Sequence, residues 1–307
     1  MRMTTSPETH SGLQHTLKSE IGCSGTGLHT GETVSILLKP APANTGIVFR
    51  RTDQIGNGAE IPALVKNVVE ATLCTTLGNE DGITVATVEH LLAALAGCLI
   101  DNVIVEVEGS EIPIMDGSAA PFVFLIECAG VVAQDAPRRV IEVLKRIDVE
   151  IDGRQVSLSP GNGFSVGFGI DFDSDAIGRQ DMEVHLVNGT FKGEISRART
   201  FGFAEEVDQL RRMGLALGGS LDNAVVVSGD EILNDEGLRY EDEFVRHKIL
   251  DCVGDLYLAG APISGHFQGF RSGHAMNHEI VRALFADPAA WRYAETGEAL
   301  APEPIAA

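Results

Sequence analysis

From about Leu17 to Ala86, apolar and polar residues alternate in short runs. Val34, Ile36 and Leu38 share one face, the stretch Pro40 to Gly46 breaks the pattern, and Ile47 to Phe49 resumes it. Period two between turn residues predicts strands. The period then lengthens, and Val88 to Ala96 reads as a helix with Thr87 as its cap, Glu89 in its first turn and Gly97 at its exit. A strand over Val103 to Val107, a loop over Gly109 to Ser118 and a helix over Ala119 to Ala129 follow. Ala133 to Arg138 (AQDAPR), with a proline and charges between apolar stretches, reads as a linker. Beyond it the same grammar returns, with strands at Val140 to Ile151, Gln155 to Leu158, Phe164 to Phe172 and Met182 to Leu186, then helices, a strand at Ile263 to Phe270 and a last helix. This order predicts an α+β protein of two domains with similar architecture, each a sheet packed against helices, over residues 13–134 and 135–295. Residues 1–12 and 296–307 are aperiodic and read as tails.

Composition narrows the function. The 307 residues are 44% hydrophobic and 22% charged, as in ordinary soluble proteins, but 44 Asp and Glu against 23 Lys and Arg give a net charge of −21. Such a chain does not attract nucleic acid or an anionic membrane broadly, so an anionic ligand must meet a local basic cluster. The longest apolar stretch, Leu91 to Ile100, is far short of the roughly 20 residues that span a bilayer, and the polar N-terminus has no signal-peptide core. Five cysteines without CxxC spacing are the usage of reduced thiols, so the expectation is a cytoplasmic protein without stable membrane insertion.

Four segments could carry chemistry. In the predicted helix from Glu241 to Ala259, Val245, Ile249, Cys252, Val253, Leu256 and Tyr257 share one side, while His247, Lys248, Asp251 and Asp255 gather on the other. His247 and Asp251, at i and i+4, can converge on one metal ion, or form an ion pair on a solvated face. Glu89 and His90 open an earlier helix, where Glu suits the helix dipole and His can simply pack. Taken together, two histidines and a carboxylate make the ligand set of an open catalytic zinc site, and Glu89 could take a proton from water beside it. His274, between His266 and His278, stands at a helix start, as a surface residue or as the acid for a leaving amine. Finally, Arg197 to Phe203 (RARTFGF) and Gly214 to Asp222 (GLALGGSLD) combine arginines, apolar residues and a glycine run that matches neither a P-loop nor a dinucleotide fingerprint.

Nine segments, in order, resemble one family, the UDP-3-O-acyl-N-acetylglucosamine deacetylases, zinc amidases of lipid A biosynthesis. They are GTGLHTG (from Gly25), KPAPANTGIVFRRTD (from Lys39), LCTTL (from Leu73), TVEHLLAALAG (from Thr87), EIPIMDGSAAPF (from Glu111), SRARTFGF (from Ser196), GLALGGS (from Gly214), RHKILDCVGDL (from Arg246) and SGHAMN (from Ser272). The resemblance implies that His90, His247 and Asp251 bind Zn²⁺, with Fe²⁺ as the alternative ion, and leave a position for water. It implies Glu89 as general base, His274 as acid or charged stabiliser, Asp255 as the carboxylate orienting that histidine, and Thr200 as a holder of the oxyanion. Lys248 and Arg271 would be the basic groups near the nucleotide phosphates, with Cys74 also on the substrate side. Phe201, Phe203, Val207, Leu210 and Gly219 would line the acyl-chain passage. The implied protein is a two-domain monomer with its site in the cleft between domains; the competing reading is an inactive nucleotide-sugar-binding protein of the same fold. Arg271 replaces an expected Lys, and the stretch after Phe203 (AEEVDQLRRM) is more charged than a lipid-facing helix usually is.

Overall fold

The computed structural model describes residues 12–54, 59–187 and 189–295. The expected tails, 1–12 and 296–307, lie outside these residues apart from Gly12. The architecture is α+β, as the alternation of periods requires.

In the first half, five strands lie in the order Ile21–Thr26, Thr33–Pro40, Val103–Glu108, Ile47–Arg51, Glu60–Pro62. All neighbours are antiparallel except Ile47–Arg51, which runs parallel to Val103–Glu108. Helices α1 (Glu89–Gly97) and α2 (Ala120–Ala129) pack together, and α2 lies against the Ile21–Thr26 strand. In the second half a seven-stranded sheet is centred on Ile263–Phe270, which pairs with Arg154–Ser159, Arg139–Val143 and Phe164–Asp171. Helix α4 (Glu243–Tyr257) covers Phe164–Asp171 and Arg179–His185, and α5 (His274–Ala286) covers Ile147–Ile151 and Arg154–Ser159. A short exposed helix, α3 (Ala204–Arg212), follows the strand Phe201–Phe203. No helix among the described residues is long and apolar enough to cross a membrane.

Three sequence expectations need correction. The segment read as a linker is the strand Val131–Pro137, antiparallel to Leu13–Leu17, so residue 134 lies inside a ladder. Most of its side chains, including Val131 and Val132, are exposed, so no alternation announces it. The strand expected over Val140 to Ile151 is two, Arg139–Val143 and Ile147–Ile151, each with its own partners. Thr87 does not cap α1. Val88 holds that position, and Thr87 adopts a left-handed conformation (φ 58°) with its hydroxyl donating to Glu111 Oε1 at 2.8 Å.

What positions the site is the contact between α1 and α4, the two helices carrying the suspected ligands. Helix α1 (EHLLAALAG) is built of Leu and Ala, good helix formers, and is buried from Glu89 to Leu95. It therefore has no polar face to spare for solvent, and α4 lies directly against it. Their closest approach is at Gly254, whose lack of a side chain lets α4 meet the α1 backbone at Glu89.

Candidate active site

The turn into α1 is fixed by one buried carboxylate. Glu111 accepts hydrogen bonds from the backbone N–H groups of His29 and Thr30 and from the hydroxyls of Thr30 and Thr87. Thr87 is thereby held in its left-handed conformation, and Glu89 and His90 follow at the helix start.

On α4 the expected polar side is present but does not face solvent. His247 and Asp251 are almost fully buried, Asp255 is completely so, and only Lys248 is half-exposed. His247 and Asp251, one turn apart, meet His90 from α1. His247 Nε2 lies 3.3 Å and His90 Nε2 3.5 Å from Asp251 Oδ1, and the two imidazoles stand edge to face with centroids 5.0 Å apart. His247 Nδ1–H donates to the Ala198 carbonyl at 3.0 Å, which leaves the Nε2 lone pair facing Asp251 and His90. Burial, with the cationic neighbour Lys248 adding to it, outweighs the pull of Asp251 and lowers the His247 pKa to about 3, so the ring stays neutral. Burial alone would raise Asp251, but the cationic Lys248 and His274 outweigh it and hold the carboxyl well below its usual range. Lys248 Nζ donates to Asp251 Oδ2 at 2.9 Å, whereas Asp251 Oδ1 is buried with no donor at all.

That orphaned anionic oxygen, facing two imidazole nitrogens with all three ligand atoms within 4.8 Å of one another, is an arrangement that a cation completes. The donor set of two histidines and one carboxylate fits a divalent transition metal with an open position.

Two groups flank this triangle. Glu89 is buried, accepts the Thr75 N–H at 3.0 Å through Oε2, and places Oε1 3.9 Å from His274 Nε2. Burial raises its pKa to about 8 despite the cationic pull of His274, and a divalent cation alongside would favour its ionised form. His274, the first residue of α5, donates from Nδ1 to Asp255 Oδ2 at 2.8 Å. Burial alone would lower its pKa; Asp255 overrides this and lifts it to about 10, so the ring carries its proton at neutral pH. Asp255 is held ionised by four donors: His274 Nδ1 and Asn277 Nδ2 on Oδ2, the Thr75 hydroxyl and His278 Nε2 on Oδ1.

A cavity of about 270 Å³ opens onto these groups. Glu89, His90, His247, Lys248, Asp251 and His274 line its polar end. Leu28, Leu73, Ile114, Phe172, Phe201 and Phe203 supply apolar wall, with Thr200 at the junction. Phe201 packs edge to face on Phe244 and Phe172, and Lys248 Nζ sits 5.7 Å from the Phe201 ring centroid. Other residues singled out in the sequence stand off this cavity. Cys74 is buried off the cavity wall, Arg271 is exposed at the end of the Ile263–Phe270 strand, and Val207, Leu210 and Gly219 do not line it. Sequence reasoning assigned nothing to Glu111, Thr75, Asn277 or His278. The one available signal was spacing, since His278 follows His274 by four residues and so shares its helix face.

A buried two-histidine, one-carboxylate triangle, with a carboxylate on one side and a protonated imidazole held by a second carboxylate on the other, defines a metal-dependent hydrolase. Residues 14–286 match the model of the LpxC family, UDP-3-O-acyl N-acetylglycosamine deacetylase. Curated relatives named UDP-3-O-acyl-N-acetylglucosamine deacetylase include one from Acidithiobacillus ferrooxidans, 53% identical over 94% of this chain and 95% of the relative. Another, from Stenotrophomonas maltophilia, is 50% identical over 95% and 96%, and one from Chromohalobacter salexigens is 52% identical over 91% and 92%. The chain belongs to this deacetylase family.

Proposed function

We propose that this protein hydrolyses the N-acetyl group of UDP-3-O-acyl-N-acetylglucosamine, giving UDP-3-O-acyl-glucosamine and acetate, the committed step of lipid A biosynthesis. The observation that carries the reading is the donorless Asp251 Oδ1 facing His90 and His247 at the end of a cavity shared with Glu89 and His274. Family membership supplies the substrate.

His90, His247 and Asp251 would hold the metal. Their donor set suits Zn²⁺ and accepts Fe²⁺. When bound there, the ion supplies Lewis acidity toward the amide carbonyl and a nucleophilic water near neutral pH. Glu89 takes a proton from the attacking water as its oxygen bonds to the carbonyl carbon. Thr200, at the cavity wall, donates to the oxygen that gains charge. His274 donates its Nε2 proton to the nitrogen as the C–N bond breaks, and the products leave as acetate and an amine. Lys248 and Arg271 serve the nucleotide phosphates, and Phe201 and Phe203 open the passage for the acyl chain, continued by Val207, Leu210 and Gly219. The reading includes a monomer, since the groups assigned above call for no residue from a second copy. All five cysteines are free thiols, which supports a cytoplasmic location.

The test is acetate release by purified protein as isolated, after chelation, and after adding back about one equivalent of Zn²⁺. Activity lost and regained supports the reading. No acetate from folded, metal-loaded protein rejects it.

A further inference from the structure

Thr75 lies just before the strand Thr76–Gly78, is completely buried, and does not line the cavity. Each of its polar atoms is nevertheless committed to the apparatus around the site. Its N–H donates to Glu89 Oε2 at 3.0 Å, and its carbonyl accepts the N–H of Val88, the cap of α1, at 3.3 Å. Its hydroxyl donates to Asp255 Oδ1 at 2.6 Å and lies 3.2 Å from His278 Nε2, whose one N–H it shares with that carboxylate. Two of these bonds go to the start of α1, one to α4 and one to α5.

We infer that Thr75 is a positioning residue that fixes Glu89 and the Asp255–His274 pair relative to each other across the cavity. This rests on the deacetylase reading above. The geometry favours it over a simple packing role because the two catalytic groups share no direct hydrogen bond: Glu89 Oε1 and His274 Nε2 are 3.9 Å apart. Their separation is set through Thr75 and Asp255 instead. The hydroxyl also fills the Asp255 Oδ1 position that would otherwise be left to His278 alone, so the carboxylate is pinned at both oxygens and the His274 ring with it. A relay of orientation of this kind acts on the reacting geometry and leaves substrate affinity alone.

Acetate release by the metal-loaded parent protein is measured first, and its absence overturns both this inference and the reading beneath it. With an active parent, Thr75→Val keeps the shape and removes the hydroxyl. The expected result is a kcat lower by about 10- to 100-fold, with KM within about twofold and metal content unchanged. Thr75→Ser, which restores the hydroxyl, should return kcat to within about threefold of the parent. Should the valine variant not fold, Thr75→Ala carries the same comparison. A double-mutant cycle separates positioning from general damage: in a His274→Gln background, Thr75→Val should cost less than about twofold further. A parent-like kcat for Thr75→Val, a serine variant as slow as the valine one, or full additivity with His274→Gln overturns the inference and leaves the deacetylase reading standing.

Discussion

Gly254 of α4 sits directly on the Glu89 carbonyl of α1: a Cβ at position 254 would stand 2.0 Å from that oxygen and 3.1 Å from the Ala93 nitrogen. This one absent methyl group sets the distance between the helix bearing His90 and the helix bearing His247 and Asp251. Three residues before Gly254 is Asp251 and one residue after it is Asp255, so the close approach falls among the carboxylates assigned to the proposed site.

Gly254→Ala should therefore separate the helices rather than merely crowd them, since the obstruction is backbone and cannot rotate away. We expect a loss of stability of about 1–3 kcal/mol, as for other overpacked cores, and weaker metal retention. Chemical denaturation and metal analysis of the purified variant check this. Unchanged metal content would show that the contact does not set the ligand geometry.

On the proposed mechanism Glu89 and His90, neighbours in the chain, have separable tasks. Glu89→Gln should retain metal and lose about 10²- to 10⁴-fold in kcat, the range for removing a general base. His90→Ala should lose both metal and turnover. Metal stoichiometry measured beside acetate release distinguishes the two, and a Glu89→Gln variant with near-normal turnover refutes the base assignment.

The proton on His274 gives the pH dependence a definite sign. Its folded pKa, about 10, lies above the ordinary 6.5, so its contribution to stability is fully present below 6.5 and is lost as pH rises through about 10. The acid form that the proposed mechanism uses persists over the same range. Asp255→Asn removes the charge that overrides burial, and the high-pH limb of kcat should move down toward neutrality. A pH–rate profile on both proteins checks it; an unmoved limb would mean another group is the acid.

Arg199 and Glu243 form a fully buried ion pair, with Glu243 accepting from the Arg199 backbone N–H, Nε and a terminal nitrogen. The pair clamps the strand entry that carries Ala198, the acceptor for His247, and Thr200. Glu243→Ala strands the Arg199 guanidinium and should cost about 3–5 kcal/mol, read by urea unfolding. A loss below about 1 kcal/mol would show that water or Glu236, 3.0 Å from Arg199, compensates.

Much of this was legible in the chain itself. The i, i+4 spacing of His247 and Asp251 and the compact polar side of α4 follow from helical period alone. That this side is buried does not, because it depends on α1, some 150 residues earlier, arriving to cover it. The meeting of His90 with His247 was raised by residue type alone, as one ligand set that needs both helices, and the family resemblance then assigned it. The strand Val131–Pro137 was illegible because both of its faces are largely exposed and its order comes from pairing with Leu13–Leu17. Thr87 looked like a cap because local patterns cannot reveal that Glu111 claims its hydroxyl. Thr75 gave no signal, since each of its partners except Val88 is fourteen or more positions away.

The Leu17–Val131 pairing has a consequence for how the chain is made. Residues emerge in order at about 5–20 per second, so the first strand waits roughly 5–25 s for its mate. His90 waits longer still, until α4 has been synthesised. Throughout that interval the nascent polypeptide displays an unmatched strand edge, and one of the three proposed ligands stands without the other two, so this is the stretch of synthesis in which a chaperone would have an edge to cover.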